Sequence, residues 1–137
     1  MSARDIPVSL RRQVVERAKE RCEYCRMPDH LSFYSPEIDH IIARKHGGQT
    51  TLDNLARVCW RCNHHKGADL TSFDPLTGEL TRLFHPRNDN WEDNFSLEGA
   101  QLVSDTPIGR TTIFLLRLND PPRISERSLV ISQGRYP

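Results

Sequence analysis

The sequence predicts one α+β domain over residues 1–137, held together by a four-cysteine zinc site. Two C-x-x-C pairs, one amphipathic N-terminal segment and several short apolar runs bounded by turn residues lead to this prediction. A chain of 137 residues suits a single compact domain. Its composition, 36% hydrophobic and 27% charged, excludes a disordered or fibrous protein.

The cellular compartment is predicted from what the chain lacks. No apolar run approaches the roughly 20 residues that cross a bilayer, and the N-terminal segment M-S-A-R-D-I-P-V-S-L has no apolar signal core. We therefore expect a protein of the reducing cytoplasm with no membrane partner. The net charge of +1 leaves a nucleic-acid partner open, because a local patch and not the total charge binds phosphate.

The N-terminal segment 1–21 predicts one helix, from Val8 to Arg21. Pro7 suits the first helical position. One face carries apolar residues at i, i+4 and i+8, namely Leu10, Val14 and Ala18. Glu16 and Glu20 argue against a dedicated phosphate-binding face, so we expect the apolar face to pack against a core.

The four cysteines form two pairs, Cys22 with Cys25 and Cys59 with Cys62. In each C-x-x-C pair a tight turn aims two thiolates at one tetrahedral ion. Paired spacing in a reducing compartment favours a four-thiolate zinc site over disulfides, over four free thiols and over a redox pair, which needs no second pair. Because sulfur would fill all four ligand positions, this zinc is expected to be structural.

The segment between the two cysteine pairs is longer than a zinc ribbon needs. From Cys25 to Cys59 the chain advances 34 positions, whereas a ribbon uses roughly 15 to 20. The predicted elements are a strand over 37–42, a turn at Gly47-Gly48, a threonine-capped helix start over 50–55 and a short helix over 62–67.

The adjacent residues Asp39 and His40 are the candidates for chemistry in that segment. Hydrolysis of a phosphodiester requires a base for the attacking water and a cation for the charge of the transition state. His40 has an unperturbed pKa of roughly 6.5, which suits a base, and Asp39 offers the hard oxygen that Mg²⁺ or Mn²⁺ prefers. Neighbours on a strand face opposite sides, so both serve one phosphate only where the strand bends or ends.

Five motifs follow one another between residues 22 and 67: C-E-Y-C, I-D-H-I-I, G-G, L-D-N-L and V-C-W-R-C-N-H-H-K-G. In this order they resemble the HNH nuclease family. The resemblance implies a ββα-metal core over 22–70, in which a hairpin and a following helix hold one Mg²⁺ or Mn²⁺ ion. It also implies hydrolysis of DNA to 5′-phosphate and 3′-hydroxyl products.

The resemblance assigns site residues position by position. The implied roles are general base for His40, support of the loop that orients it for Asn54, and catalytic-metal ligation for Asp39 and Asn63. His64 would replace Asn63 as ligand if the helix register shifted by one. Outside the family context, Asn54 is most simply a helix cap or turn residue.

Basic residues near Asp39 and His40 predict contacts with the DNA backbone. The residues implied are Lys66, from the C-N-x-x-K-G string, and Arg44, Lys45, Arg57 and Arg61, from their clustering. The expected partner is therefore DNA, bound by a monomer or a homodimer.

Residues 71–137 predict a C-terminal extension of a β-hairpin and helices. Its elements are a strand over 80–84, two short strands within 94–104, a helix starting at Thr106-Pro107 and a helix over 123–133. Residues 111–114 suit a strand equally well. Trp91 and Phe95 are more simply core anchors than a base-stacking platform.

Two functions of other classes remain open at this stage. One is a zinc-knuckle DNA-binding or adaptor module whose nuclease site is silent, and the other is a structural subunit of a larger assembly. The nuclease hypothesis is favoured because a pure binding module needs no base beside a metal ligand.

Overall fold

The structure is a computed structural model that describes residues 6–31 and 34–137. The described part of the chain contains five α-helices and three antiparallel pairs of strands, which confirms the mixed α and β prediction. It divides into two compact units, one ending at His64 and the other beginning at His65. The prediction of one domain over 1–137 stays a prediction.

The N-terminal helix, α1, spans Val8–Ala18. It ends earlier than the predicted Arg21, because Lys19 and Glu20 adopt left-handed backbone angles with φ of 55° and 57°. Pro7 occupies the N-cap position instead of the first helical position. The predicted apolar face is correct, since Val14 and Ala18 are buried.

The core of the first unit lies between α1 and a β-hairpin. Its buried cluster is formed by Ile6, Val14, Ile38 and Leu55, with Leu10, Val15 and Leu52 packed around it. Arg17 of α1 donates hydrogen bonds to the carbonyl oxygens of Leu52 and Leu55, at 2.9 and 2.7 Å. The helix is thus attached to the hairpin by polar as well as apolar contacts.

The hairpin consists of β1, Glu37–His40, and β2, Leu55–Val58, paired from Glu37 opposite Val58 to His40 opposite Leu55. The threonine-capped helix start predicted over 50–55 is wrong. The chain makes only a 3₁₀ turn at Leu52–Asn54, and the Thr51 side chain forms no cap hydrogen bond. Three of the four residues of β2 are buried, and this burial outweighs the local signal for a helix.

The second helix, α2, spans Trp60–Lys66 and starts two residues before the predicted Cys62. Gly67 follows it with a φ of +51°, the left-handed conformation that ends a helix most readily at glycine. The order β1, β2, α2 is that of a hairpin followed by a helix, as expected.

The second unit alternates short strands and helices. Its elements are β3 (Thr71–Phe73), β4 (Leu80–Arg82), α3 (Trp91–Asn94), β5 (Ser96–Glu98), β6 (Gln101–Val103), α4 (Pro107–Leu115) and α5 (Pro121–Ser132). Thr106 caps α4 as predicted, its Oγ1 accepting from the Gly109 amide at 3.0 Å. Helix α5 begins at Pro121, not at 123, because prolines fit the first helical turn.

The interior of the second unit contains both predicted aromatic anchors. Trp91 is 4% exposed and Phe95 3% exposed, and their ring centroids lie 5.1 Å apart. Arg127 is also buried, and its guanidinium donates to the carbonyl oxygens of Ala100 and Leu118. Among the helices described, none has the length and apolar character that crossing a membrane requires.

Candidate nuclease site

The four cysteine sulfur atoms converge on one point. All lie within 4.8 Å of one another, and Cys25 Sγ is 3.8 Å from Cys59 Sγ. A tetrahedral zinc ion with Zn–S bonds of about 2.3 Å places its sulfur ligands about 3.8 Å apart. Within residues 6–31 and 34–137 this is the one group of three or more Cys, His, Asp or Glu side chains positioned to hold a metal ion.

Backbone amides support the sulfur atoms in both turns. The Cys25 amide donates to Cys22 Sγ, and the Cys62 amide donates to Cys59 Sγ, each at 3.5 Å. Burial raises the pKa of the Cys22 and Cys62 thiols well above its usual value. Four thiolates in so dry a site require a cation between them, and the donor set fits a closed structural metal site.

The first cysteine turn is attached to the edge of β2. The Glu23 amide donates to the Arg57 carbonyl at 2.8 Å, and Glu23 Oε2 accepts from the Arg57 amide at 2.9 Å. The second cysteine pair follows β2 directly in the chain. The metal-binding cluster therefore joins the hairpin to α2. The Arg57 guanidinium, which the sequence predicts to contact the DNA backbone, forms an ion pair with Asp29 at 2.9 Å.

Asp39 and His40 lie on opposite faces of β1. Ile38 and His40 are buried, while Asp39 between them is half-buried. Tyr24, only 1% exposed, has its pKa raised well above the usual value by burial, then by the charges of Asp39 and the cysteines. The charge of Asp39 therefore acts on the Tyr24 phenol. His40 is the last residue of β1, so the strand ends two residues before the predicted Ile42, and the chain leaves the strand directly after this histidine.

The His40 imidazole is held by a neighbour that the sequence analysis missed. His40 Nε2 lies 2.9 Å from Thr50 Oγ1. Burial lowers the His40 pKa below its ordinary value, the Arg44 charge lowers it further, and Asp39 opposes both. The ring is therefore neutral at pH 7. The available signal was a hydroxyl residue between the glycine pair and Asn54, but threonine is too common in loops to be singled out.

Asn54 closes the loop that connects β1 to β2. Its Nδ2 donates to the carbonyl oxygens of Ile42 and Gln49, each at 2.9 Å, and its Oδ1 accepts from the Ile42 amide at 2.9 Å. The side chain is 9% exposed, and the Asn54 carbonyl also accepts from the Ile41 amide at 2.8 Å. One side chain thus fixes both ends of the loop that carries Thr50.

Gly48 lies at the tightest point of this loop. A Cβ atom placed there would be 1.7 Å from the Ile42 carbonyl oxygen and 2.8 Å from Asn54 Nδ2. The loop closes on Ile42 only because residue 48 has no side chain.

The remaining predicted residues differ in exposure. Asn63 is half-buried on α2 and His64 is exposed, while Arg44 and Lys45 are exposed in the 3₁₀ turn Arg44–His46. Arg61 is half-buried. Lys66 is only 3% exposed, and its contact with phosphate stays a prediction. The exposed cations of the set are thus in the turn that follows His40.

Comparison with known proteins places residues 22–69 in a family. These residues match the family described as HNH endonuclease. Over 58 residues the chain is 45% identical to a protein of Corynebacterium diphtheriae named CRISPR-associated endonuclease Cas9, a match covering 42% of this chain and 5% of that protein. No solved structure gives a significant match. The hairpin, the following helix and the sequence match agree, and residues 22–69 of this chain are an HNH endonuclease domain.

Proposed function

We propose that this chain is a metal-dependent endonuclease that hydrolyses DNA phosphodiester bonds, with His40 as general base. The observation that carries the proposal is the placement of His40 at the end of β1, neutral and hydrogen-bonded to Thr50 in a loop that Asn54 closes. A base at neutral pH requires an unprotonated imidazole in a fixed orientation. The family match over 22–69 supports the same chemistry.

The contact with Thr50 supports Nδ1 as the ring nitrogen that acts. Nε2 faces the Thr50 hydroxyl, so Nδ1 is the nitrogen that accepts the proton of the attacking water. In that tautomer Nε2 carries hydrogen and donates to Thr50 Oγ1. Thr50 is then a positioning residue, and Asn54 holds the loop from which Thr50 reaches the ring.

Asp39 and Asn63 would hold one Mg²⁺ or Mn²⁺ ion, with His64 as the alternative to Asn63. Carboxylate and amide oxygens are the ligands that these hard cations prefer. When bound, such an ion neutralises charge on the phosphate and on the leaving 3′ oxygen.

The remaining groups bind the substrate and maintain the fold. The four cysteines would hold structural zinc, and Arg44, Lys45, Arg61 and Lys66 would contact DNA phosphates. The products would carry 5′-phosphate and 3′-hydroxyl ends. The protein would act in the cytoplasm as a monomer or a homodimer.

Plasmid nicking tests the proposal. Wild type, His40→Ala and His46→Ala are incubated with supercoiled plasmid and Mg²⁺, Mn²⁺ or EDTA, after equal zinc content has been verified. Wild type and His46→Ala should nick with metal and not with EDTA, since His46 is an exposed histidine of the same loop with no role in the site. His40→Ala should be slower by about a hundredfold or more. Equal nicking by all three would refute the role of His40.

One observation favours a DNA-binding module with a silent site. His40 is only 4% exposed, whereas a general base must meet a water molecule. If the wild type binds plasmid but does not cut it with any of the metals tested, this second function replaces the first.

A further inference from the structure

An exposed pair of aromatic rings lies in the first unit. Tyr34 is 56% exposed and Trp60 is 37% exposed. Their ring centroids are 4.9 Å apart with an interplanar angle of 63°, an edge-to-face contact. Large aromatic side chains in soluble proteins are usually buried, so two adjacent exposed rings indicate a binding surface.

A cation accompanies the rings. The Arg61 guanidinium carbon lies 5.5 Å from the centroid of the Trp60 ring, within the range of a cation–π contact. Aromatic faces and planar guanidinium groups are the surfaces on which unpaired nucleobases stack, and the guanidinium also pairs with the negative backbone. A purely apolar partner would gain nothing from the charge.

The position of the pair relates it to the cleavage site. Trp60 is the first residue of α2, and Asn63 follows three positions later. Residues at i and i+3 of a helix have Cβ atoms about 5–6 Å apart. Successive nucleotides rise by about 3.4 Å along a strand, so a base stacked on Trp60 would lie about two nucleotides from a phosphate at Asn63.

We propose that Tyr34, Trp60 and Arg61 form a stacking platform for an unpaired nucleotide of the DNA strand that this domain cleaves. The proposal rests on the nuclease function for the identity of that strand. It names the substrate class: DNA with an unpaired or extruded base close to the scissile phosphate. In a fully paired duplex the bases stack on each other and are not offered to the rings.

Fluorescence titration with a 20-nucleotide oligo-dT tests the platform. All proteins carry His40→Ala, so that the strand stays intact. Trp60 is exposed and should be quenched by a stacked base, whereas Trp91, at 4% exposure, should keep its emission. Trp60→Leu keeps an apolar side chain against Tyr34 but removes the ring. It should bind oligo-dT about five- to 150-fold more weakly and lose the quenching, while Trp60→Phe should retain most of the affinity.

Two controls isolate the contributions of the ring and the charge. Phe114→Leu removes an aromatic ring that is 65% exposed in the second unit and should leave oligo-dT binding unchanged. Arg61→Gln should reduce the slope of log affinity against log salt by about 0.7, the value for one phosphate on a single strand. Blunt duplex of the same length should quench Trp60 weakly.

The outcomes separate the platform from the nuclease function. Binding of oligo-dT that is equal within twofold for the parent protein, Trp60→Leu and Phe114→Leu, at equal zinc content, would overturn the platform, whether or not the wild type nicks plasmid. Trp60-dependent binding together with an absence of nicking by the wild type would overturn the nuclease function and leave the platform standing.

Discussion

The Asn54 side chain forms hydrogen bonds with both main-chain groups of Ile42, donating to its carbonyl oxygen and accepting from its amide, each at 2.9 Å. Asn54→Asp keeps the shape but removes the donor, so a carboxylate oxygen would face the carbonyls of Ile42 and Gln49. We expect a loss of about 1–3 kcal/mol in the free energy of unfolding, measured with urea, and a loss of plasmid nicking.

The second unit contains a matched control for this variant. Asn119 makes the same pair of contacts with Leu102, accepting from its amide at 2.9 Å and donating to its carbonyl at 2.8 Å. Asn119→Asp should also lose its donor to Leu102 but be destabilised less, because the Arg127 guanidinium lies 3.5 Å from its Oδ1, and nicking per folded molecule should stay intact. If both variants nick equally well once folded, Asn54 has no role beyond stability.

The close approach of Gly48 to Ile42 predicts intolerance of any side chain. In Gly48→Ala the new Cβ would lie 1.7 Å from the Ile42 carbonyl oxygen, so the loop must move. Overpacking of this kind costs about 1–3 kcal/mol, and the thermal midpoint and nicking rate should both fall. Gly99→Asn is the control, because its φ of 62° suits asparagine and nothing lies within 4 Å of a Cβ there. A Gly48→Ala protein with unchanged midpoint would contradict the loop geometry.

Substitutions of Thr50 should reduce the nicking activity to different degrees. Thr50→Val removes the oxygen that lies 2.9 Å from His40 Nε2 and preserves the side-chain volume. Without that contact the ring loses its fixed orientation, and we expect kcat for nicking to fall about tenfold or more, with KM little changed. Thr50→Ser retains the hydroxyl and should restore most of the rate. A structural role alone would not distinguish serine from valine in this way, so equal rates would exclude the positioning role.

The sequence predicted what depends on spacing along the chain. The cysteine pairs, the Asp39-His40 strand and the cap at Thr106 are local patterns, and the structure contains them. Local patterns did not predict the position of β2, and only the family resemblance implied a second strand. Its pairing partner lies in β1, and the preceding Leu52-Asp53-Asn54 has the local signal of a helix start. Thr50 and Arg17 were missed for the same reason, since each acts on a residue ten or more positions away.

Metal content tests the cysteine cluster. The protein as purified should contain one zinc ion per chain by elemental analysis. Cys62→Ser replaces a buried thiol in the cluster and should lower zinc content and the thermal midpoint together, because structural zinc contributes directly to the free energy of folding. The control is Ser128→Ala, at an exposed position, which should leave the zinc content and the thermal midpoint unchanged. Full stability of a zinc-free Cys62→Ser protein would contradict the structural role.

The ion pair of Asp74 and Arg110 predicts an acid-sensitive second unit. Asp74 is 1% exposed, Arg110 Nη2 lies 2.9 Å from its Oδ2, and the guanidinium holds the pKa of this carboxyl at about 2. The unfolded value is about 3.9, so the stabilisation is complete above that pH and is lost as the pH falls toward 2. Urea unfolding followed by Trp91 fluorescence at pH 7, 4 and 2.5 measures this loss.

Asp74→Asn identifies the group responsible. The amide cannot ionise, so the variant should be less stable than wild type at pH 7, and the difference should shrink between pH 4 and pH 2.5. Acid also protonates cysteine thiolates, and for this reason the difference between the two proteins is the quantity to follow. Asp69→Asn, at an exposed carboxyl, should track wild type at every pH. If the stability difference between wild type and Asp74→Asn stays constant down to pH 2.5, the pKa of Asp74 is not lowered by Arg110.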